Sequence, residues 1–523
     1  MQYTSVSKKG WIIALIFIVL SGLFIQYPYM NEFPSFIHAW SQTDRYSLSI
    51  GFLNNNFDLF HPETLIYNKQ YPGWWRVASD NTITSVDFPI LEYIVAVVMK
   101  ITGVTSPWIF RSCMLLVAFI GMFFLYKLAF IITKDWLKSI LVVSVAMTSP
   151  VYAYYFNGFI PGVPALTFAI ISLYYYVKYL NDSDIKLFGF SILFMTLSVL
   201  TRMSFAVVWV ALLGFEFLRI LRKETKFVDK ILPVGVSIIV FFSYYFWNKH
   251  IASENGTLFL GNLAFADSWS DFWNMMKVAK DNWQYHYFGK IHYCLFILIL
   301  IFSILYFIYG KIKNRKIKTE KGKKPLSLWL LALVSIFGCF LFTIAMSKQF
   351  SYHDYYFLDT YFLPLLLLFI LILSLLPKTD NYKQGIVFGV ISLVFIIMML
   401  KNVSDKQKER RVIGKGRVSE RTIKNYLGSE RYLDSIGISR DAKILTLWAY
   451  PQNTPFILMN RKGYTDMWYE KEIVDASMSF PFDYVVIENE VYEKEKVIWK
   501  YLFDDLQYYS DNGKIMIFVK KEE

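Results

Sequence analysis

Asp44 is the residue whose type and position first indicate possible chemistry. It lies in a polar, aromatic-rich segment, His38-Ala-Trp-Ser-Gln-Thr-Asp-Arg-Tyr46, that follows the first long apolar stretch of a very hydrophobic chain. A carboxylate whose pKa is tuned by burial or by neighbours can act as a general base and accelerate a reaction about 10²–10⁴-fold. The alternative is a helix cap or a solvated acid in a loop. Position alone leaves both readings of Asp44 open.

Further ionisable side chains are expected near the same membrane level. Charges at membrane depth are costly unless they are paired or face a cavity, so they are candidates for function. Arg202 is the clearest case, because Leu200-Thr-Arg-Met203 separates two short apolar runs. A guanidinium there suits a phosphate or carboxylate partner, although a structural ion pair between helices remains an alternative. The other candidates are Arg45, His61, Asp87, Arg111, Lys348, His353 and Asp354.

Asp87 and His353 also have interpretations other than a role in catalysis. Asp87 directly precedes Phe88-Pro89, and the pattern most simply predicts an N-cap before a helix that begins with proline. His353-Asp354 could bind phosphate, orient a substrate or ligate a metal, but one His–Asp pair is too little to predict a metal site. We therefore predict no cofactor, and a divalent metal has no support from the sequence.

The chain also lacks P-loop, GxSxG and HExxH motifs, so ATP-driven transport and serine or zinc hydrolysis are unsupported.

The elements that must position these side chains are membrane helices. The 523 residues are 55% hydrophobic and 18% charged, with a mean hydropathy of +0.37, whereas a typical soluble domain is about 25% charged. Apolar runs of about 20 residues recur along the chain, which predicts a polytopic α-helical membrane protein. The net charge of +13 follows from basic cytoplasmic loops and indicates no nucleic-acid partner. The three cysteines lie in apolar runs and predict neither disulfides nor a metal site.

The apolar runs and the basic residues predict a topology. The cytoplasmic side should hold the N-terminus and the basic segment 311–324, which has eight basic residues. The stretch 88–103 is short and contains Glu92, so we interpret it as a helix at the outer surface; if it spans, the C-terminus moves inside. About eleven spans are predicted: 10–27, 108–132, 139–157, 162–180, 186–201, 203–221, 231–247, 291–310, 327–346, 357–376 and 384–400.

Three regions follow from this division. Residues 1–400 form a transmembrane domain that includes a large outer loop, 28–107, and residues 401–523 form a polar tail. The tail is predicted to be a small α/β domain with a mixed or parallel sheet. Its predicted strands are 443–450, 484–488 and 514–520, and its predicted helix is 491–503. The basic stretch 401–424, taken alone, favours a cytoplasmic tail.

Taken in order, these motifs resemble those of family 39-type membrane glycosyltransferases of the GT-C superfamily, relatives of protein O-mannosyltransferases and lipid A aminoarabinose transferases. The resemblance covers nearly the full length. Ser41 departs from it, because many bacterial members have Arg there, and Asp87 stands where Glu is usual. The matching segments are Trp40-Ser-Gln-Thr-Asp44, Asp87-Phe-Pro-Ile-Leu-Glu-Tyr93 with Thr102-Gly103 and Arg111, Leu200-Thr-Arg202, His353-Asp-Tyr-Tyr356 with Pro364, and Arg461-Lys-Gly-Tyr464.

The resemblance implies an inverting glycosyltransferase. It would move a sugar from a polyprenyl-phosphate donor to a hydroxyl of a glycan, lipid or protein acceptor at the outer face of the cytoplasmic membrane, with the tail domain also outside. Asp44 would be the base. Donor phosphate would bind Arg202, with His353, Lys348 and Arg111 as weaker candidates. Acceptor or sugar would contact Asp87, Trp40, Gln42 and Tyr355, and Trp74 and Trp75 could stack on sugar rings.

Two other functions are weighed against this one. A transporter or flippase of lipid-linked sugar would place charges along a path through the bilayer, often with internal repeats. The candidate charges cluster at the outer face instead, and no repeat is visible. A polysaccharide polymerase or ligase typically has its large outer loop late in the chain, whereas the longest loop here comes first. Both patterns favour sugar transfer.

Overall fold

The computed structural model describes residues 2–70, 76–258, 262–312, 324–412 and 417–521. Trp74, Trp75 and most of the basic segment 311–324 lie outside these ranges. Contacts group the chain into two compact units. The helical unit comprises Met1–Met30, Arg111–Tyr244 and Asn262–Lys408, and the loop–tail unit comprises Asn31–Phe110, Tyr245–Gly261 and Glu409–Glu523.

Helices dominate the described ranges. The first thirteen are α1 (Gln2–Gln26), α2 (Ala39–Asn54), α3 (Ile90–Thr102), α4 (Pro107–Thr133), α5 (Trp136–Thr148), α6 (Pro150–Tyr155), α7 (Gly162–Asp182), α8 (Ile185–Thr201), α9 (Ala206–Leu221), α10 (Val228–Asn255), α11 (Trp269–Tyr287), α12 (Lys290–Ile312) and α13 (Lys324–Ala345). The remaining ten are α14 (Ser347–Phe350), α15 (Tyr355–Asp359), α16 (Phe362–Leu375), α17 (Tyr382–Val412), α18 (Arg417–Tyr426), α19 (Ser429–Ser435), α20 (Thr454–Met459), α21 (Lys471–Met478), α22 (Asn489–Glu495) and α23 (Lys500–Asp504). Short 3₁₀ helices occupy Tyr27–Tyr29 and Met203–Phe205.

The polytopic helical membrane fold predicted from composition is confirmed. Within the described residues, eight helical segments are long and apolar enough to cross a membrane, and three shorter apolar helices, α5, α8 and α16, lie where further spans were predicted. The predicted span 139–157 is wrong as one element, because the chain is extended at Ser149 and α6 begins at Pro150. Proline lacks the N–H that a continuous helix would need there. The total of eleven spans stays a prediction.

The tail contains a five-stranded mixed sheet, which confirms the α/β prediction. Its strands are β1 (Ile444–Leu447), β2 (Gly463–Asp466), β3 (Tyr484–Glu488), β4 (Leu506–Asp511) and β5 (Ile515–Lys520), in the order β2-β1-β3-β5-β4. β1 is parallel to β2 and β3, and β5 is antiparallel to β3 and β4. Strands β2 and β4 were not predicted, and the predicted helix 491–503 is divided into α22 and α23.

The loop 28–107 joins this sheet within the loop–tail unit. Gly463 of β2 exchanges backbone hydrogen bonds with the loop: its N–H donates to Leu65 and its carbonyl accepts from Tyr67. Leu65 and Ile66 pack into the apolar core on one face of the sheet. A Cβ at Gly463 would lie 1.8 Å from the carbonyl oxygen of Ile444, so a glycine is required where the strands approach this closely.

The loop 28–107 also contains two helices, α2 and α3. α2 presents an almost continuous buried surface between Gln42 and Ser49. α3 confirms the helix predicted over 88–103 and ends at Gly103, whose φ of 67° is left-handed, as is common just past a helix C-terminus. Its location at the outer surface stays a prediction.

Candidate functional site

Asp44 lies inside α2 and is completely buried. The alternative reading as a solvated loop acid or a helix cap is therefore wrong. One carboxylate oxygen, Oδ1, accepts a hydrogen bond of 2.9 Å from Nε2 of Gln452 and one of 2.8 Å from Nδ2 of Asn453. Its other oxygen, Oδ2, has no hydrogen-bond partner within range among the described residues. Asp44 thus has one oxygen held by two amide donors and a second oxygen to which neither amide donates.

Burial raises the pKa of Asp44 to about 7. The effect arises because a buried environment penalises the charged form of a carboxyl group. Hydrogen bonding from the side chains of Asn453, Gln452 and Trp40, together with the charge of Arg45, opposes this shift and lowers the pKa. A carboxyl group with a pKa near the working pH is suited to accept a proton in a reaction.

Arg45 links the neighbouring acidic side chains. Its guanidinium lies 3.1 Å from Oδ2 of Asp87 and 3.2 Å from Oε1 of Glu92. Arg45 and Glu92 are buried, whereas 23% of the Asp87 side chain is exposed. The N-cap prediction for Asp87 is wrong, since α3 begins at Ile90 with Pro89 in the N-cap position. The loop therefore places a paired cation directly beside Asp44.

Two of the proposed sugar-contacting residues lie on the same helix as Asp44. The ring of Trp40 is partly buried and packs against Tyr450 and Trp468, at centroid distances of 6.1 and 6.4 Å. Gln42 is buried, and its Nε2 donates to the carbonyl of Ile37 at 2.9 Å. The structure thus brings Trp40 and Asp44 together with residues of the tail.

Sequence reasoning missed Gln452 and Asn453, the tail residues that donate to Asp44, and also missed Asp466, a buried acid on a neighbouring strand. Gln452 and Asn453 follow β1, and Asp466 ends the adjacent parallel strand β2. Polar residues at the carboxyl ends of parallel strands commonly line functional sites, and this position was the available signal. Asp466 is also buried, and burial raises its pKa to about 7. Its Oδ1 accepts from the backbone N–H of Trp468 at 2.8 Å.

Arg202 lies in a break between helices of the helical unit. Its backbone is extended, with φ −154° and ψ 107°, between the end of α8 and a short 3₁₀ turn. Its Nε lies 2.6 Å from Oδ2 of Asp359, which is fully buried, and its guanidinium lies 5.0 Å from the ring centre of Tyr355. Only 14% of the Arg202 side chain is exposed. The ion pair that was the alternative interpretation of Arg202 is therefore present. Its partner, Asp359, was missed in the apolar run 357–376.

The aromatic segment after His353 extends this group. The His353 ring lies 5.2 Å from the Tyr355 ring, and its Nδ1 is 2.9 Å from the carbonyl of Gln349. Oδ1 of Asp354 accepts a hydrogen bond of 2.7 Å from the hydroxyl of Tyr155. Burial raises the pKa of Tyr355, while Arg202 opposes that shift. Arg202, Tyr355 and His353 are thus brought together.

The two remaining phosphate candidates have other contacts. Nζ of Lys348 lies 2.6 Å from Oδ1 of Asp267, and 42% of the Lys348 side chain is exposed. Arg111 is buried, donates to the backbone and side-chain oxygens of Asn157 at 3.1 and 3.3 Å, and lies 4.7 Å from the ring centre of Phe159. The described contacts do not connect Lys348 with the Arg202 group.

In the ranges that the structure describes, no cluster of three or more His, Cys, Asp or Glu side chains is placed to hold a metal ion. Among the described residues, Asp44 is a buried carboxyl group with a raised pKa, and Arg202 is a largely buried guanidinium paired with Asp359.

The chain is similar to known proteins in part of its sequence and in its fold. Residues 87–247 match the family model described as dolichyl-phosphate-mannose-protein mannosyltransferase. A search of curated proteins gave no significant match. Among solved structures, ArnT from Cupriavidus metallidurans in the apo state has a similar fold, with a TM-score of 0.57 and 10% identity over 98% of each chain.

Two further structures share the fold. ArnT from the same organism bound to undecaprenyl phosphate has a TM-score of 0.51 and 11% identity over 97% of this chain and 98% of that one. The arabinofuranosyltransferase AftD from Mycobacteria has a TM-score of 0.53 and 9% identity, over 99% of this chain but 40% of that one. The resemblance drawn from the motifs is thus confirmed as a similarity: residues 87–247 match the mannosyltransferase family model, and the chain shares its fold with ArnT and AftD.

Proposed function

We propose that the protein is an inverting glycosyltransferase that uses a polyprenyl-phosphate-linked sugar as its donor. The acceptor is a hydroxyl group of a glycan, lipid or protein at the outer face of the cytoplasmic membrane. The observation that carries the proposal is the buried carboxyl group of Asp44, whose pKa is raised to about 7. The similar fold of an ArnT bound to undecaprenyl phosphate supports this class of donor.

Asp44 acts as the general base in this proposal. It accepts the proton of the acceptor hydroxyl while that oxygen attacks the anomeric carbon of the donor sugar. The bond between the anomeric carbon and the phosphate oxygen breaks, and polyprenyl phosphate leaves with the electron pair. Because the attack comes from the face opposite the leaving group, the anomeric configuration inverts. Asp44 is fully buried, so acceptor binding must displace side chains that cover it.

Arg202 binds the donor phosphate in this proposal. A guanidinium in a poorly solvated site stabilises the charge that develops on a leaving phosphate. Asp359 holds Nε of Arg202 at 2.6 Å, and the ring of Tyr355 lies beside the guanidinium, which restricts its orientation. His353 is a second phosphate-binding candidate, because its ring contacts Tyr355. Lys348 and Arg111 remain weaker candidates.

Acceptor or sugar binding is proposed for residues around the base. Trp40 offers an aromatic ring, and Asp87 offers a partly exposed carboxylate. Gln42 and Tyr355 are mostly buried, so their contacts with a sugar would also require side chains to move. The tail domain is proposed to lie outside the membrane.

The proposal is tested by sugar transfer with purified protein in liposomes. A panel of polyprenyl-phosphate sugars is supplied, and release of polyprenyl phosphate is measured for wild type, Asp44→Asn and Asp80→Asn. Asp80 is an exposed carboxylate in the same outer loop and provides the matched control. We expect release by wild type and Asp80→Asn, and a loss of about 10²-fold or more in Asp44→Asn.

Other results would redirect the assignment. Equal activity of wild type and Asp44→Asn would remove Asp44 from the mechanism and direct attention to Asp87 or Asp354. No turnover with any donor, with candidate acceptors present, would argue against the transferase. It would favour a transporter of lipid-linked sugar, which a flipping assay in the same liposomes would detect.

A further inference from the structure

Two neighbouring amide side chains of the tail converge on one oxygen of Asp44. Gln452 donates to Oδ1 at 2.9 Å, and Asn453 donates to the same atom at 2.8 Å. All three side chains are fully buried. The residues are about four hundred positions apart in the chain, so this contact depends on the folding of the loop onto the tail within one unit.

The fold restrains the segment that carries both amides, and a further hydrogen bond fixes the orientation of Asn453. They follow β1, whose parallel neighbours β2 and β3 confine the direction in which the chain leaves the sheet. Oδ1 of Asn453 also accepts a hydrogen bond of 3.3 Å from the backbone N–H of Leu65. That bond determines which end of the amide faces Asp44. A side chain held by its own hydrogen bonds can orient a reacting group more accurately than a mobile one.

We propose that Gln452 and Asn453 are positioning residues that hold Oδ1 of Asp44 and leave Oδ2 to accept the proton of the acceptor hydroxyl. The proposal rests on the proposed role of Asp44 as the base. Both donors of the pair are used on Oδ1, so the lone pairs of Oδ2 are the ones available for proton transfer. The tail domain is thereby part of the catalytic apparatus, because it supplies the groups that orient the base.

The amides should also tune the acidity of Asp44. Donors to a carboxylate stabilise its ionised form, and both amides lower its pKa against the larger effect of burial. The other charged group that acts on it is Arg45, on its own helix. Tyr450, from the tail, is the facing titratable group, and its pKa is raised to about 12 by burial and by Asp44. Tyr450 therefore stays neutral over the range in which Asp44 titrates.

The test compares two amides that both join the loop to the tail. Gln452→Met removes one donor to Asp44 with little change in volume. Asn68→Leu is the matched control, because buried Asn68 exchanges hydrogen bonds of 3.0 and 2.8 Å with the backbone of Thr465. The described contacts of Asn68 do not include Asp44. Each variant is assayed for kcat/KM between about pH 5 and about pH 9, and for thermal stability.

The expected results separate positioning from mere structural support. In Gln452→Met, the acid limb of kcat/KM should move up by about one pH unit, since a hydrogen bond to a charged group contributes about that much. Part of the activity should return at high pH. Asn68→Leu should lower the thermal stability and leave the acid limb in place. If both variants lose activity in parallel with stability and neither moves the limb, the amides are only structural and the proposal is wrong.

Gln452→Glu provides a second variant of nearly the same shape. A second carboxyl group beside Asp44 makes the two acids share a proton and raises the pKa further. The acid limb should therefore move up by more than in Gln452→Met. An unchanged limb in Gln452→Glu would also overturn the proposal, even if Gln452→Met does not fold.

Infrared titration separates this inference from the proposed function. The carboxyl band of Asp44 is identified as the difference between wild type and Asp44→Asn, and it is titrated without any donor. A band that titrates higher in Gln452→Met, in a protein with no turnover, would support the amide effect and reject the transferase. Turnover that depends on Asp44, with the same titration in both proteins, would support the transferase and reject the positioning role.

Discussion

Nε of Arg202 lies 2.6 Å from Oδ2 of Asp359, and both residues belong to the helical unit. The carboxylate is fully buried and the guanidinium nearly so. Removing two charges from water is costly, and only close contact and further hydrogen bonds offset that cost. Asp359 therefore orients Arg202 before any ligand binds. The backbone is extended at Arg202, where α8 ends.

Replacement of Arg202 by Met should affect donor binding as well as stability. The change leaves the buried carboxylate of Asp359 without its cation, which typically costs about 3–5 kcal/mol of stability. If Arg202 binds phosphate, KM for the donor should rise and kcat should fall, each about tenfold or more. Kinetics over a range of donor concentrations and thermal unfolding in detergent would measure both effects.

Arg219 offers a matched control for this prediction. It pairs with Glu216 at 2.6 Å and has a similar exposure of 15%. Arg219→Met should lower the unfolding temperature and leave KM for the donor unchanged. If Arg202→Met and Arg219→Met behave alike, Arg202 is a structural residue only.

The sequence predicted the membrane helices and the position of Arg202 because both depend on local patterns. Long apolar runs follow from hydrophobicity, and a charge between two short runs is visible without a structure. Asp359 was missed because it lies in an apolar run and acquires its role only when α15 packs beside Arg202. A contact of that kind depends on tertiary structure, which periodicity does not encode.

The surroundings of Asp44 could not be predicted from local sequence patterns either. Its segment was identified as a candidate, but its burial and its partners Gln452 and Asn453 depend on residues about four hundred positions away. Strands β2 and β4 were missed because both carry polar residues and end in an aspartate, so alternation gives a weak signal. Asp87 was interpreted from its neighbours in sequence, whereas its observed partner is Arg45 on α2.

The stability of the protein should fall as pH rises from about 4 to about 7. The folded pKa of Asp44 is raised to about 7 from an ordinary 3.8, so the folded state binds a proton more tightly than the unfolded chain. Such a group stabilises the folded state fully at pH values below its pKa in the unfolded chain. This stabilisation is lost as the pH rises through its pKa in the folded protein. For Asp44 the change is on the order of 4 kcal/mol. Asp466, raised to about 7 in the same direction, should add to it.

The unfolding temperature as a function of pH would measure this dependence. Asp44→Asn and Asp466→Asn should each reduce the slope between about pH 4 and about pH 7. Asp80→Asn, at an exposed position, should leave it unchanged. A slope that is the same in all four proteins would show that neither buried carboxyl group has a raised pKa.

Arg45→Met should destabilise the loop–tail unit and alter the pH profile. The change leaves Glu92 buried without its cation, which typically costs about 3–5 kcal/mol. It also removes a positive charge that lowers the pKa of Asp44, so the acid limb of kcat/KM should move to higher pH. Asp87→Asn should have a smaller effect on stability, because 23% of that side chain is exposed. Equal losses in the two variants would contradict the importance of the buried Arg45–Glu92 pair.

Gly463→Ala should prevent the first loop and the tail from forming one unit. The new methyl carbon would lie 1.8 Å from the carbonyl oxygen of Ile444, and a backbone atom cannot yield as a flexible side chain can. The strand must shift, which breaks the hydrogen bonds from Gly463 to Leu65 and from Tyr67 to Gly463. Because Leu65 is held in turn by Asn453, the shift should also disturb Asp44. Protease sensitivity, thermal unfolding and transfer activity would all report it. Gly235→Ala is the control, because Gly235 is in a helix and has open space around the added carbon. It should leave protease sensitivity, thermal unfolding and activity unchanged. Equal behaviour of the two variants would show that the close approach at Gly463 is unimportant.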